Sequence, residues 1–375
     1  MCNFALRILV CKSFAMGITR KRYHIDALNK SNFGVTHYDA CSKPHSDAEK
    51  TAGRLGFETE CLYGSRLTKL GKPLWKKVLL HAYNLGWQAY VLLQSRKLER
   101  IKNADIFVQY GFSTEAMFRV VKNLNRDGNR IIMLMHDLGI LQVGAKKNHE
   151  EEQLLQNVDT VIVHSQPMAD KLRGLGFKGK TVILEFFDYL NDYEADCAST
   201  DMTGNIDVVF AGNLGKSTFL SKLNELTPHE GLRFFLYGKD TGNLITNDNI
   251  QYKGFFSNDD IAGIEGTWGL VWDGDSLDGC TGRMGEYLRY NAPFKLSLYL
   301  AKGLPVIVWS ESAMAKYVEE YKLGITVRSL NDIYDAVRSL SAEQLNDIKE
   351  GVAEYSRKVK HGKQLEQALQ KALTD

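Results

Sequence analysis

We predict an α/β protein with two doubly wound domains that face each other across a cleft. Short apolar strands alternate with helix-period segments twice, over residues 105–186 and again over residues 206–340. Such alternation is typical of parallel sheets that carry helices on both faces. Between the two series, residues 191–204 are polar and lack periodicity, as in a linker. We therefore place one domain at residues 1–190 and a second at residues 205–375.

The first domain becomes regular only after about residue 105. Before that point we predict a strand at Leu6–Cys11, a helix from about Thr19 and one long helix over Lys72–Ile101. The later strands are predicted at Asp105–Gln109, Arg130–Met135, Thr160–Val163 and Thr181–Phe186. The helices are predicted at Thr114–Asn125, around Glu150–Gln156, and at Gln166–Leu175. Ligands of such sheets bind beyond the carboxyl ends of the strands, where the polar residues are His136-Asp137, His164-Ser165 and Asp188.

The second domain repeats the pattern. Its strands are predicted at Ile206–Ala211, Arg233–Tyr237, Trp268–Trp272 and Leu304–Trp309. Its helices are predicted near Ser217–Leu226, Gly285–Arg289, Phe294–Lys302, Glu311–Tyr321 and Leu330–Leu340. The tail, Ala342–Leu373, is also predicted to be helical. It is a candidate either for contacts in a homo-oligomer or for a return to the first domain.

Composition places the chain among ordinary globular proteins, with 44% apolar and 25% charged residues. The six cysteines are scattered and form no CxxC pair, which argues against both a disulfide framework and structural zinc. No apolar run approaches the ~20 residues that cross a bilayer. We expect a cytoplasmic protein without a metal site.

Charge is unevenly distributed along the chain. Residues 1–130 hold 22 lysines and arginines against 10 acidic residues, and the remainder holds 25 against 35. A basic front half suggests an anionic partner: a lipid surface, a phosphate-bearing substrate or nucleic acid. The long helix over 72–101 fits either a domain-packing helix or a basic amphipathic face on a membrane.

A first candidate anion site lies in the stretch 290–309. Asn291 is predicted to cap a helix with Pro293 in its first turn, and Gly303 to end it. The free N–H groups of the first turn, the positive end of the helix dipole and Lys295 would together hold an anion, with Ser297 nearby. The alternative is an ordinary amphipathic helix with Lys295 in solvent.

A second candidate anion site is the glycine-rich turn Phe210-Ala-Gly-Asn-Leu-Gly-Lys-Ser-Thr218. It is not a Walker motif, because Phe210 stands where the first glycine is required. Lys216, Ser217 and Thr218 nevertheless lie at the predicted start of a helix. The dinucleotide fingerprint GxGxxG is absent.

Three carboxylate positions could do chemistry. Asp273 and Asp275 follow a strand, and could be turn formers or could accept hydrogen bonds from sugar hydroxyls. The spacing argues against a calcium loop, because Leu277 and Met284 occupy ligand positions. Asp137 ends an apolar strand and could act as a general base over the cleft, while the adjacent His136 could equally be structural.

The runs at residues 269–275, 290–297 and 301–309 resemble bacterial nucleotide-sugar glycosyltransferases of the GT-B fold, which has two Rossmann-like domains. Within that fold the resemblance is to the β-1,6-galactofuranosyltransferase-like enzymes of surface polysaccharide synthesis. These are related to the glucosyltransferases that extend glycans on serine-rich adhesins. The segments 136–138, 185–190 and 210–213 also match.

The resemblance implies a hexosyltransferase with UDP-galactofuranose or UDP-glucose as donor and no separate cofactor. The implied acceptor is a glycan or a lipid-pyrophosphate-linked glycan rather than nucleic acid, with possible peripheral contact at the inner membrane face. The implied donor-binding residues are Thr19, Asn213, Lys216, Ser217, Tyr237, Gly238, Lys239, Asp275, Tyr290, Pro293, Phe294, Lys295, Leu296 and Ser297. Asp137 is the preferred base, and His136, Asp188 and Glu286 are further catalytic candidates.

Preorganised charge at a departing diphosphate suits an inverting, metal-independent transfer. Two alternatives stay open. One is a UDP-sugar epimerase of similar shape, and the other is a non-catalytic scaffold that binds nucleotide sugars.

Overall fold

The computed structural model describes residues 20–26, 42–61, 74–110, 115–139, 141, 149–195, 202–239 and 244–374. Within these residues the chain forms two parallel six-stranded sheets, which confirms the predicted α/β class. The predicted strand at Leu6–Cys11 and the candidate site residue Thr19 lie outside the described residues.

The first sheet has the strand order β2-β1-β3-β4-β5-β6. Its strands are β1 (Lys21–Asp26), β2 (Glu58–Cys61), β3 (Ala104–Tyr110), β4 (Arg130–Met135), β5 (Thr160–Val163) and β6 (Lys180–Ile183). Its helices are α1 (Ser42–Arg54), α2 (Leu74–Leu98), α3 (Glu115–Leu124), α4 (His149–Leu155) and α5 (Gln166–Gly174). All neighbouring strands are parallel, so the carboxyl ends of β4, β5 and β6 share one edge of the sheet.

The second sheet has the strand order β12-β11-β10-β7-β8-β9. Its strands are β7 (Ile206–Ala211), β8 (Leu232–Tyr237), β9 (Ile250–Gly254), β10 (Trp268–Val271), β11 (Val306–Trp309) and β12 (Gly324–Val327). Its helices are α6 (Gly282–Tyr287), α7 (Phe294–Lys302), α8 (Ala315–Glu320) and α9 (Ile333–Arg338), with 3-10 turns at Thr218–Glu225 and Leu330–Asp332. The glycine-rich turn follows β7, and the segment that starts α7 lies between β10 and β11 in the chain. Because β7 and β10 are neighbouring parallel strands, both candidate anion segments begin at the same edge of the sheet.

The tail forms two helices, α10 (Ala342–Lys360) and α11 (Lys363–Leu373). Helix α10 packs on α7, whereas α11 packs on α1, β5 and β6 of the first sheet. The turn between them needs glycine: Gly362 has a φ of 76°, and a Cβ there would lie 2.5 Å from the hydroxyl of Thr51. One apolar cluster accordingly runs from the first sheet through the tail helices into the second domain.

The structure corrects several predicted elements. The helix expected from about Thr19 is wrong over its described part, since Lys21–Asp26 is a strand hydrogen-bonded between β2 and β3. The prediction missed that strand, β2 and α1, together with β9 and β12 in the second sheet. By contrast, Arg130–Met135, Thr160–Val163, Ile206–Ala211 and Phe294–Lys302 match the prediction residue for residue.

The long helix predicted over Lys72–Ile101 is present as α2. Among the described helices, none combines the length and apolar character needed to cross a membrane.

Candidate functional site

Lys295 is the second residue of α7, and its ammonium lies at the carboxyl ends of β7 and β10. Its ammonium donates to the carbonyl oxygen of Trp272 at 3.0 Å and lies 3.7 Å from the carboxylate of Asp273. The same ammonium is 4.3 Å from the centroid of the Phe210 ring, a cation–π contact. The Lys295 side chain is 14% exposed, so its charge is partly withdrawn from solvent.

The two candidate anion segments come together at this point. The Ser217 hydroxyl lies 3.4 Å from one oxygen of Asp273, and Lys295 lies beside the other oxygen. The turn is further fixed by the Thr218 hydroxyl, which donates to the carbonyl of Gly274 at 3.1 Å. Asp273 therefore contacts both candidate anion segments, through Ser217 in the turn after β7 and through Lys295 at the start of α7. Sequence reasoning treated Asp273 separately from both, because only the strand order makes it their neighbour.

The start of α7 differs in detail from the prediction. Pro293, not Asn291, is the N-cap residue, and no side chain caps the helix. The N–H of Leu296 is already bonded to the carbonyl of Pro293 at 3.0 Å, so the first turn of α7 offers the N–H groups of Phe294 and Lys295 beside the Lys295 ammonium. Leu296 and Ser297 are buried in the helix packing, at 0% and 1% exposure. An anion at this site would meet the backbone and Lys295 rather than those two side chains.

The segment 237–239, which the resemblance implies to bind the donor, is shaped by a close approach of β7 and β8. Gly238 has a φ of 140°, and a Cβ there would lie 1.9 Å from the carbonyl oxygen of Gly212, so only glycine fits. The Tyr237 ring is buried, and its hydroxyl accepts the N–H of Glu265 at 2.9 Å. Lys239 is exposed next to this turn.

The other predicted donor residues surround the same sheet edge. Asn213 and Lys216 are exposed in the turn after β7. Asp275 accepts the Thr281 hydroxyl, a bond that closes the loop before α6. Glu286 is exposed on α6, paired with Arg289 at 2.7 Å.

Asp137 of the first domain is hydrogen-bonded to the second domain through Tyr287. The Tyr287 hydroxyl accepts the backbone N–H of Leu138 at 2.8 Å and is hydrogen-bonded to the Asp137 side chain. Burial, reinforced by the Asp137 charge, raises the pKa of Tyr287, so its hydroxyl stays protonated. A protonated hydroxyl can donate to the carboxylate while it accepts from the amide. Tyr287 thus fixes the orientation of Asp137.

His164 and Ser165 form a second connection between the domains. The Nε2 of His164 lies 2.7 Å from the carbonyl oxygen of Met135, and its Nδ1 lies 3.1 Å from the backbone nitrogen of Ala292. A carbonyl only accepts and an amide N–H only donates, so the ring is neutral with its proton on Nε2. Burial lowers the pKa of His164 to about 4, which agrees with a neutral ring. The Ser165 hydroxyl donates to the carbonyl of Tyr290 at 2.6 Å.

These contacts join the strand ends of the first sheet to the segment 287–292, which leads directly into α7. The predicted base and the predicted anion site are therefore held by one short stretch of chain. The sequence placed His164 and Ser165 at a strand end, but no sequence signal identified Tyr287, whose partner is 149 residues away.

His136 lies below Asp137 in a group of buried histidines. Its Nε2 donates to the side-chain oxygen of Gln109 at 2.8 Å, and its ring stacks on His45 with centroids 3.7 Å apart. Burial, with a contribution from the charge of His45, lowers the pKa of His136 well below its usual value. The neutral ring supports the strand end that carries Asp137.

Asp188 faces the tail rather than the strand ends of the second sheet. Its two carboxylate oxygens accept the N–H groups of Gln364 and Leu365, at 3.1 and 2.8 Å, and so satisfy the first turn of α11. Burial raises the pKa of Asp188 to about 7, against those two hydrogen bonds, which lower it. Among the described residues, no group of three or more His, Cys, Asp or Glu side chains is arranged to hold a metal ion.

Two parallel α/β domains, with strand ends of the first joined by hydrogen bonds to the segment 287–292 of the second, have the arrangement of the GT-B type of glycosyltransferase. The glucosyltransferase 3-like N-terminal domain matches residues 22–186, and the glucosyltransferase 3-like C-terminal domain matches residues 208–372. The chain belongs to this glucosyltransferase 3-like family, and it is a glycosyltransferase. The resemblance read from the sequence is thereby confirmed.

Two relatives that match this chain are also glycosyltransferases. The chain is 31% identical to the β-1,6-galactofuranosyltransferase WbbI of Escherichia coli (strain K12) over 66% of this chain and 72% of that one. It is 28% identical to glucosyltransferase 3 of Streptococcus gordonii over 54% of this chain and 58% of that one. Among solved structures, an E. coli one described as trehalose-6-phosphate bound with UDP-2-fluoro glucose superposes with a TM-score of 0.54. That match is 11% identical and covers 93% of this chain and 98% of that one, which shows a shared fold.

Proposed function

We propose that the chain is an inverting glycosyltransferase that moves a hexose, galactofuranose or glucose, from a UDP-sugar to an acceptor hydroxyl. The acceptor would be a glycan or a lipid-pyrophosphate-linked glycan of surface polysaccharide or glycoprotein synthesis. Support comes from the names of the relatives, which transfer galactofuranose and glucose. The observation that supports the proposal most directly is the stretch 287–295. It contacts Asp137 through Tyr287 at one end and carries Lys295 at the other.

The diphosphate is proposed to bind between the first turn of α7 and the ammonium of Lys295. As the bond to the sugar breaks, the leaving diphosphate gains negative charge. Fixed N–H donors and a partly desolvated ammonium stabilise that charge more than they stabilise the intact donor. Lys216 and Ser217, on the turn after β7, approach the same charge from the other side. The proposal assigns leaving-group stabilisation to these groups and needs no metal.

The nucleoside is proposed to lie along the turn after β8, where Gly238 keeps the chain free of a side chain and Lys239 is exposed. Asp275 and the neighbouring Asp273 are proposed to accept hydroxyl hydrogen bonds from the sugar. Glycosyl transfer without an acceptor base would be slow, so a carboxylate of the first domain is required at the opposite face. Asp137 is proposed for that role, oriented by Tyr287.

The test combines a donor panel with one substitution. Incubation with UDP-galactofuranose, UDP-glucose and other UDP-sugars should give UDP release with one of the two hexoses and a glycan acceptor. Asp137→Asn should keep UDP binding in calorimetry and lose turnover by at least about a hundredfold.

Three outcomes argue against the proposal. Retained turnover in Asp137→Asn removes that residue from the base role. Donor consumption without an acceptor, giving a second UDP-sugar, indicates an epimerase. UDP binding without turnover of any donor indicates a scaffold.

A further inference from the structure

Helix α2 exposes a run of large apolar side chains. Val78, Leu79, Leu85, Leu92 and Leu93 are 64%, 57%, 54%, 37% and 64% exposed. Exposed apolar side chains are common singly, but a contiguous set on one helix marks an interaction surface. None of these residues belongs to the candidate donor or base site.

The five side chains lie on one side of the helix. At 3.6 residues per turn they fall within an arc of about 140°. Ala82, Gly86 and Ala89 are exposed within the same arc. The other side carries Ser95 and Leu98, which are buried, and α2 packs there on α3. We call residues 78, 79, 82, 85, 86, 89, 92 and 93 the α2 face.

The charged side chains of α2 itself are all basic, and one of them, Lys97, is paired with Glu60 of β2 at 2.9 Å. Residues 74–98 contain two lysines at one end, an arginine and a lysine at the other, and no aspartate or glutamate. Arg96 in the last turn is exposed, and so is Arg100, two residues beyond the helix end. An apolar face between basic ends complements an anionic lipid surface, where leucines enter the acyl boundary and cations meet the headgroups. Two copies paired through this face would instead bring like charges together.

The position of α2 beside the sheet puts one end of the helix near the cleft edge. The helix connects two parallel strands, β2 and β3, so it runs antiparallel to them and begins near their carboxyl ends. Asp137 follows β4 at that same edge of the sheet. With α2 about 37 Å long, one end lies near the acceptor side of the cleft and the other far from it.

We propose that the α2 face is a docking surface for an anionic membrane, on which the first domain lies with the cleft edge close to the lipid. The surface deepens the proposed function only by indicating where a lipid-linked acceptor would be met. Its test uses no sugar nucleotide, so failure of the transferase assignment would leave this result unchanged.

The experiment is co-sedimentation of the full chain with two kinds of vesicle, phosphatidylcholine alone and phosphatidylcholine mixed with phosphatidylglycerol. The variant Leu79→Glu/Leu93→Glu places two carboxylates on the α2 face. The matched control, Ile245→Glu/Phe255→Glu, makes the same change at second-domain residues that are 45% and 54% exposed. Circular dichroism and thermal melting check that each variant is folded, and Leu79→Ser/Leu93→Ser replaces the first variant if it is not.

The proposal predicts binding of the wild-type chain to the mixed vesicles at least about tenfold stronger than to phosphatidylcholine alone. It predicts a loss of at least about tenfold in the α2 variant and no change in the control. Equal binding by all three proteins, or no binding by the wild type, overturns the proposal. So does a wild-type chain that binds no vesicle but dimerises in sedimentation velocity while the α2 variant is monomeric, since the face would then pair two copies.

Discussion

Replacing Lys295 by methionine tests the electrostatic core of the proposed site. The substitution keeps the aliphatic stem against Phe210 and removes only the ammonium. At about 4 Å and an effective dielectric constant near 20, an ammonium and a phosphate charge interact by ~4 kcal/mol. Asp273, 3.7 Å away, offsets part of that interaction, and hydrogen bonds to charged groups retain a net ~1.5–3 kcal/mol. We therefore expect UDP affinity to fall by ~10–100-fold.

Turnover should fall further than affinity, by ~100–1,000-fold, because the leaving diphosphate carries more charge in the transition state than in the donor. The assays are calorimetry with UDP and single-turnover transfer with the donor that the panel identifies. Lys316→Met, an exposed lysine of α8, is the matched control and should behave as wild type. A Lys295→Met protein with unchanged UDP affinity would refute the placement of the diphosphate.

Three further substitutions or conditions follow from the same contacts. Tyr287→Phe removes the hydroxyl that orients Asp137, so kcat should fall by ~10-fold with little change in the donor KM; a change in KM alone would contradict the positioning role. Asp273→Asn removes the carboxylate beside Lys295, so calorimetry should show tighter UDP binding; weaker binding would mean that the carboxylate supports the site. Burial lowers the pKa of His45 and of His164 to about 4, so the free energy of unfolding should fall between pH 6.5 and 4, by at most ~1.4 kcal/mol per pH unit for each histidine. Asp188, with its pKa raised to about 7, acts in the opposite direction, and urea denaturation at pH 7 and pH 5 measures the difference.

The sign of the histidine effect depends on which protonation state of each histidine the folded chain stabilises. A buried neutral histidine takes up a proton more readily once the chain is unfolded, so acid favours the unfolded state. Stability that rises as the pH falls from 6.5 to 5 would mean that Asp188 outweighs the histidines.

Much of the fold could be predicted because the central strands are apolar on both faces. Arg130–Met135 and Ile206–Ala211 are runs of this kind, and both match the structure. The missed strands lack that signal. Lys21–Asp26 reads Lys-Arg-Tyr-His-Ile-Asp, and its burial comes from its place between β2 and β3. Ile250–Gly254 is an edge strand with only its first residue buried.

The candidate site was predictable in its parts but not in its assembly. Local patterns located Lys295, Lys216 and Asp137, since strand ends and helix starts are properties of short segments. The contact of Tyr287 with Leu138 spans 149 residues, and the insertion of Asp273 between two anion segments depends on strand order. The roles of the predicted residues, and the domain boundaries near residue 200, stay predictions.

The most direct measurement is a crystal structure of the chain with UDP. The proposed function predicts a diphosphate against the first turn of α7, with a phosphate oxygen within about 3 Å of the Lys295 ammonium. A second place could hold the nucleotide: a cavity of about 630 Å³ beside the interdomain linker, lined by Lys50, Arg54 and Lys360. A diphosphate bound in that cavity, with no phosphate oxygen near the Lys295 ammonium, would contradict the proposed function.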